Sequence, residues 1–250
     1  MSIVAKAATT TRVWLVLLLL MFSQSSAQPG KSAPDRRPTV AVLYFDYSGE
    51  EGELSFLRKA LAQMLISDLA AVDEIRVVER ARLEALISEM KLNRSTRFDL
   101  ATGSRIGKLL GARYMVLGNY QYLGFLGTIR INADFVDVET GVHVSGTSAT
   151  GKPDEFLVMQ QKISAALAKS AETMLAGRSA DREPSCIAPP RRPRVKPPAQ
   201  LKLSTAVQYA KALDAIDRGD RSVAKIGLQA VKKEQPDFAL AAADYDALVQ

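Results

Sequence analysis

The chain has 250 residues, of which 47% are apolar and 24% charged. That balance belongs to a globular protein rather than a disordered one, and the length allows one ordinary domain with something smaller attached. The formal charge of +6 divides into +4 over residues 1–37, −2 over 38–176, +5 over 177–203 and −1 over 204–250, so the stretches with folding patterns are close to neutral. A groove-reading nucleic-acid binder carries its charge on a folded face, and that class is excluded.

The amino-terminal segment reads as a secretory signal peptide over residues 1–27. Lys6 and Arg12 precede an unbroken apolar run at 13–22, and Ser25, Ser26 and Ala27 supply small residues for cleavage after Ala27. The run is well short of the roughly twenty residues that span a bilayer as a helix. No cysteine follows it, so the expected product is a soluble, exported chain without a lipid anchor. The only cysteine, Cys186, cannot form an internal disulfide.

Residues 28–38 form a proline- and charge-rich tether. Residues 39–45 (TVAVLYF) are almost continuously apolar and of strand length, which suits a strand buried on both faces. A helix is predicted over 53–72, with Leu54, Leu57, Leu61, Met64, Leu65 and Leu69 on one stripe. Glu50, Glu51 and Glu53 stand before it, where carboxylates favour the positive end of a helix dipole.

A short strand at 75–78 leads into VVERARLEALISEMKL. Leu83, Leu86, Ile87 and Met90 define the inner face of that helix, and Arg80 can pair with Glu84 on its exposed side. By spacing, Glu79-Arg80 is a hinge between strand and helix. After a polar loop at 93–99 comes a helix over 101–110, ended by Gly111. Its Gly103-Ser-Arg-Ile-Gly107-Lys108 is no phosphate loop: only three residues separate the glycines, and Leu109 follows the lysine.

Strands are predicted at 113–123, 128–138 and 142–147. Ile129, Ile131, Ala133 and Phe135 alternate with Arg130, Asn132 and Asp134, the pattern of an antiparallel strand with one wet face. The adjacent Phe135 and Val136 imply a bulge, and Glu139-Thr140-Gly141 a tight turn. His143, the only histidine, falls on the polar face. A helix over 152–176 presents Phe156, Met159, Ile163, Leu167 and Met174 to the sheet. Residues 177–202 hold PPRRPRVKPP, a Pro/Arg-rich linker with polyproline II character. Residues 203–250 return to helix, broken near Arg218-Gly219-Asp220 and before Pro236.

The fold class is therefore α/β, a mixed sheet flanked by helices over 39–176, followed by a small all-α segment over 203–250. No catalytic set, cofactor motif or metal-spaced His/Cys cluster emerges, so an enzyme is not expected.

The order VAVLYFD, VVERARLEALISEMKL, IGKLLGARYMVLGNY and INADFVDVETG resembles the CsgG family, with the related domains of FlgO, LpoB and the amino-terminal part of TolB. The resemblance covers residues 39–176 and makes Glu79-Arg80 the strand-to-helix junction. It implies a non-enzymatic, protein-binding role in the periplasm or at the outer membrane, with ring homo-oligomers in the curli branch. It implies as an alternative an LpoB-like regulator of a peptidoglycan synthase. The curli channel inserts paired strands of about 9–11 residues each into the membrane; only residues 123–127 separate two core strands here, so no pore is expected.

Gly219, Asp220, Ala224, Leu228 and Pro236 resemble one tetratricopeptide repeat. A lone repeat leaves a face uncovered, so Leu213, Leu228 and Val231 are the candidate partner-binding residues. On this reading the helical segment is an interaction module, dispensable for folding of the main domain.

Overall fold

A computed structural model describes residues 37–50, 52–92, 99–176 and 200–250. The expected signal peptide, nearly all of the expected tether, Glu51, the polar loop at 93–98 and the linker with Cys186 lie outside the described residues.

The sheet is built from β1 (Thr39–Val42), β2 (Asp46–Tyr47), β3 (Arg76–Val77), β4 (Tyr114–Leu123), β5 (Thr128–Asp137) and β6 (His143–Gly151). Its order is β3-β1-β4-β5-β6, with β2 also paired to β4. β1 runs parallel to β3 and β4, whereas β4, β5 and β6 form an antiparallel meander. The mixed sheet follows from the connections: a helix crosses over between parallel neighbours, and short turns join antiparallel ones.

The helices are α1 (Leu57–Leu69), α2 (Arg80–Glu89), α3 (Leu100–Leu109), α4 (Phe156–Ala176), α5 (Leu203–Asp217), α6 (Arg221–Glu234) and α7 (Ala239–Val249). A 3-10 turn at Glu53–Phe56 precedes α1. Asp99 caps α3 by accepting the Thr102 N–H, and Asp220 caps α6 by accepting that of Val223.

The apolar run at 39–45 is buried throughout, but only its first four residues are strand: β1 ends at Val42, and β2 begins after the run, at Asp46. The break at 43–45 has a packing cause. Phe45 lies directly over Gly118 of β4, where a Cβ would overlap its ring. Gly103 and Gly107 do the same for α3, letting it sit close on Leu117 and Val138. The bulge falls between Phe135 and Val136, and it puts both side chains in the core at 0% exposure. Gly141 closes the turn at φ +70°. β6 runs on to Gly151, beyond the predicted end at 147.

The largest departure concerns the helical segment. Residues 37–250 form one compact unit, and α5 lies against α1 and the Glu53–Phe56 turn. Along α5, Ala206, Val207, Tyr209, Ala210, Ala212, Leu213 and Ala215 are all buried, too broad a band for a single stripe. A helix apolar nearly all round is a central one. One side of α5 meets α1, and the other meets α6, which packs in turn on α7. The hydrophobic core is therefore continuous from the sheet to Phe238 and Ala241.

Candidate functional site

The densest group of charged side chains in the described residues sits where α1, α2 and α5 meet. Arg80 is the first residue of α2, after Glu79 in extended conformation. Its guanidinium Nη1 donates to both carboxylate oxygens of Asp217, at 2.6 and 2.7 Å. Lys59 of α1 reaches Asp217 at 2.6 Å, Asp214 at 3.2 Å and Glu84 at 3.4 Å. Asp214 also meets Arg218 at 3.2 Å, and the Tyr44 hydroxyl donates to Glu84. The side chains of Arg80 and Asp217 are only 9% and 5% exposed.

The pairing expected between Arg80 and Glu84 on an exposed face does not form. Both side chains turn inward, because the docked α5 brings the Asp217 carboxylate to Arg80, while Tyr44 and Lys59 occupy Glu84. The Glu79-Arg80 junction is thus a hinge with a second duty: it anchors the helical segment 137 residues away.

Electrostatics fit a closed clamp. Burial raises the Tyr44 hydroxyl far above its ordinary range, so it remains a donor. Burial works against charge on Arg80, but Asp217 outweighs it and keeps the guanidinium protonated. One layer further out, buried Tyr209 of α5 donates to Asp244 of α7 at 2.6 Å. Burial raises the Asp244 carboxyl above the usual range, opposed by the Tyr209 hydrogen bond and by Arg80. Glu53, expected only to cap α1, also ties α5 in: Lys211 Nζ lies 2.6 Å away and holds the Glu53 carboxyl below its ordinary range. These acids and bases neutralise one another across a helix interface, which is the arrangement of a structural clamp.

Leu213, Leu228 and Val231 are each fully buried. The face assigned to a partner is filled from within the chain, by α1 on one side and by the packing of α5, α6 and α7 on the other. This corrects the expectation of an uncovered repeat face. His143 stands where the strand pattern put it, half-exposed beside Asp134 at 3.8 Å. No described group of three or more His, Cys, Asp or Glu residues could hold a metal ion, and no described helix is long and apolar enough to cross a membrane.

The free surface offers three features. The β4–β5 hairpin turns over residues 124–127 and exposes Phe125 at 87%. The outer side of α6 carries Val223 and Ile226, also exposed. The third is the outer edge of β6, the last strand of the sheet.

Residues 22–122 match the family described as curli production assembly/transport component CsgG, which bears out the CsgG-like resemblance over that stretch. No curated protein matches. Among solved structures, the LpoB C-terminal domain from Escherichia coli aligns at 13% identity and a TM-score of 0.37, covering 46% of this chain and 82% of that one. Lipoprotein GNA1162 from Neisseria meningitidis aligns at 14% and 0.37, covering 54% and 98%. TolB from Acinetobacter baumannii aligns at 11% and 0.31, covering 58% and 30%.

Proposed function

We propose that this is a non-enzymatic, exported cell-envelope protein that binds other proteins in the periplasm or at the outer membrane, a CsgG-like assembly or transport accessory with no pore of its own. The observation that carries the reading is the CsgG match over residues 22–122, which runs from the end of the apolar leader into β4. The denial of a pore rests on the hairpin between β4 and β5. Its connection at 124–127 is far shorter than two membrane strands of about 9–11 residues each.

Cross-linking in intact cells, with identification of the attached protein, tests the proposal. An export or assembly component at the cross-link supports it. A peptidoglycan synthase would replace it with the regulator reading, and a cytoplasmic partner would overturn both. Planar-bilayer recordings on the purified protein should show no discrete conductance steps; reproducible steps would refute the absence of a pore.

A further inference from the structure

The two ends of the sheet are treated differently. One edge is β3, only two residues long and carrying Arg76. Very short, charged edge strands are how soluble proteins discourage pairing with another chain. The other edge is β6, nine residues of HVSGTSATG with no lysine, arginine, acidic residue or proline. It extends about 30 Å at the usual rise per residue. Among the described residues, β5 is its sole strand partner. The bulge that would twist an edge away lies at its very start, opposite His143, and the ladder from Ser145 to Gly151 is regular. A long, regular, uncharged edge exposes a row of backbone donors and acceptors ready to pair.

Three observations say what kind of strand fits. An uncharged strand sets no like charges opposite one another when it pairs with itself, and the Thr147 pair at the centre is a Thr–Thr contact of the kind that favours an antiparallel ladder. Pairing about Thr147 stays within the regular ladder: Ser145 then faces Ala149 of the other copy, Gly146 faces Ser148, and the extra residue of the bulge, Val144, is left beyond the paired stretch. The chain's own proline-rich stretch makes a poor alternative, because Pro189, Pro190, Pro193, Pro197 and Pro198 lack the N–H a ladder needs. Two-fold pairing would also set the two α4 helices, each about 30 Å long and packed on β5 and β6, on the same side of the joined sheet.

We propose that β6 is a homodimerisation edge, through which two copies of this chain pair antiparallel, in register about Thr147, into one continuous sheet. This stands independently of the envelope reading.

Register makes the proposal testable in the full-length chain with Cys186→Ser as background. At the two-fold axis, the Cα atoms of paired Thr147 residues lie about 4.5–5.5 Å apart, within disulfide range. Thr147→Cys should therefore form a covalent dimer under mild oxidation. Thr150→Cys should not, since its two copies stand about 20 Å apart in this register. In parallel, Ser148→Lys/Thr150→Lys should weaken self-association about tenfold or more by sedimentation equilibrium, since the two copies of position 148 are diagonal neighbours across the seam, where like charges oppose pairing. Val223→Lys/Ile226→Lys, on the exposed side of α6, should leave it unchanged. A parent chain that stays monomeric at several hundred micromolar overturns the proposal. So does a dimer that survives the lysines on β6, one abolished by the lysines on α6, or equal cross-linking at positions 147 and 150. Circular dichroism matching the parent certifies that each variant is folded.

Discussion

Replacing Asp217 with alanine should be among the most damaging single changes available in this protein. It removes both oxygens that hold Arg80 and one of the carboxylates around Lys59. Lys59 keeps Asp214 and Glu84, but Arg80, with a side chain 9% exposed, loses its bidentate partner in a place water hardly reaches. Removing one member of a buried pair costs about 3–5 kcal/mol, because the surviving charge stays desolvated. At about 2–4 °C per kcal/mol for a chain of this size, the melting temperature should fall by about 6–20 °C. The pair itself need not be stabilising relative to an apolar replacement, so Arg80→Met/Asp217→Leu should recover most of the loss. Thermal unfolding by circular dichroism, run as a double-mutant cycle, reads both numbers. A shift of less than about 2 °C for Asp217→Ala would mean that α5 is not clamped. A double variant as damaged as the single one would mean that lost packing, not stranded charge, sets the cost.

Asp244→Asn tests the outer layer. Because burial raises the folded-state pKa of Asp244, its contribution is full below the ordinary aspartate range and is lost as pH rises through the raised value. The asparagine variant should gain stability relative to the parent as pH rises above the ordinary aspartate range, and a melting-temperature difference flat with pH would contradict the shift. Gly118→Ala should destabilise by about 1–3 kcal/mol, since the new methyl overlaps the Phe45 ring; urea midpoints give the value. Truncation after Ala188, expected from sequence to leave the main domain untouched, should instead lower its melting transition well beyond a few degrees, because it strips α1 of α5. Mass spectrometry of the exported protein should find Gln28 at the amino terminus.

Much of the local architecture was legible because it depends on neighbours in the chain. The adjacent core positions Phe135 and Val136 announced the bulge, and Gly141 the turn, within a few residues of where each acts. The clamp was not legible. Spacing offered Arg80 a partner four residues away in Glu84, whereas its partner lies 137 residues on, and no periodicity encodes a pairing at that range. One available signal pointed there. α5 has small or apolar residues at 206, 207, 209, 210, 212, 213, 215 and 216, around most of its circumference, and such a helix needs cover on two sides. Its neighbours α6 and α7 supply one side, so the other had to come from the α/β domain. The break between β1 and β2 escaped notice for a related reason: it depends on Gly118, more than seventy positions downstream of Phe45.

The separation between Arg80 and Asp217 also sets a clock on synthesis. A nascent chain grows amino end first, at about 5–20 residues per second, so roughly 7–27 s pass between the making of Arg80 and the making of its counter-charge. Throughout that interval α1 and α2 have no α5 to close over Lys59 and Arg80, and the side of α1 that α5 covers stays open. Folding of the amino-terminal half cannot be completed until the last quarter of the chain has followed it, on whichever side of the membrane the chain folds. That quarter acts as the latch, and a product truncated before residue 217 keeps an open core, a ready substrate for proteases.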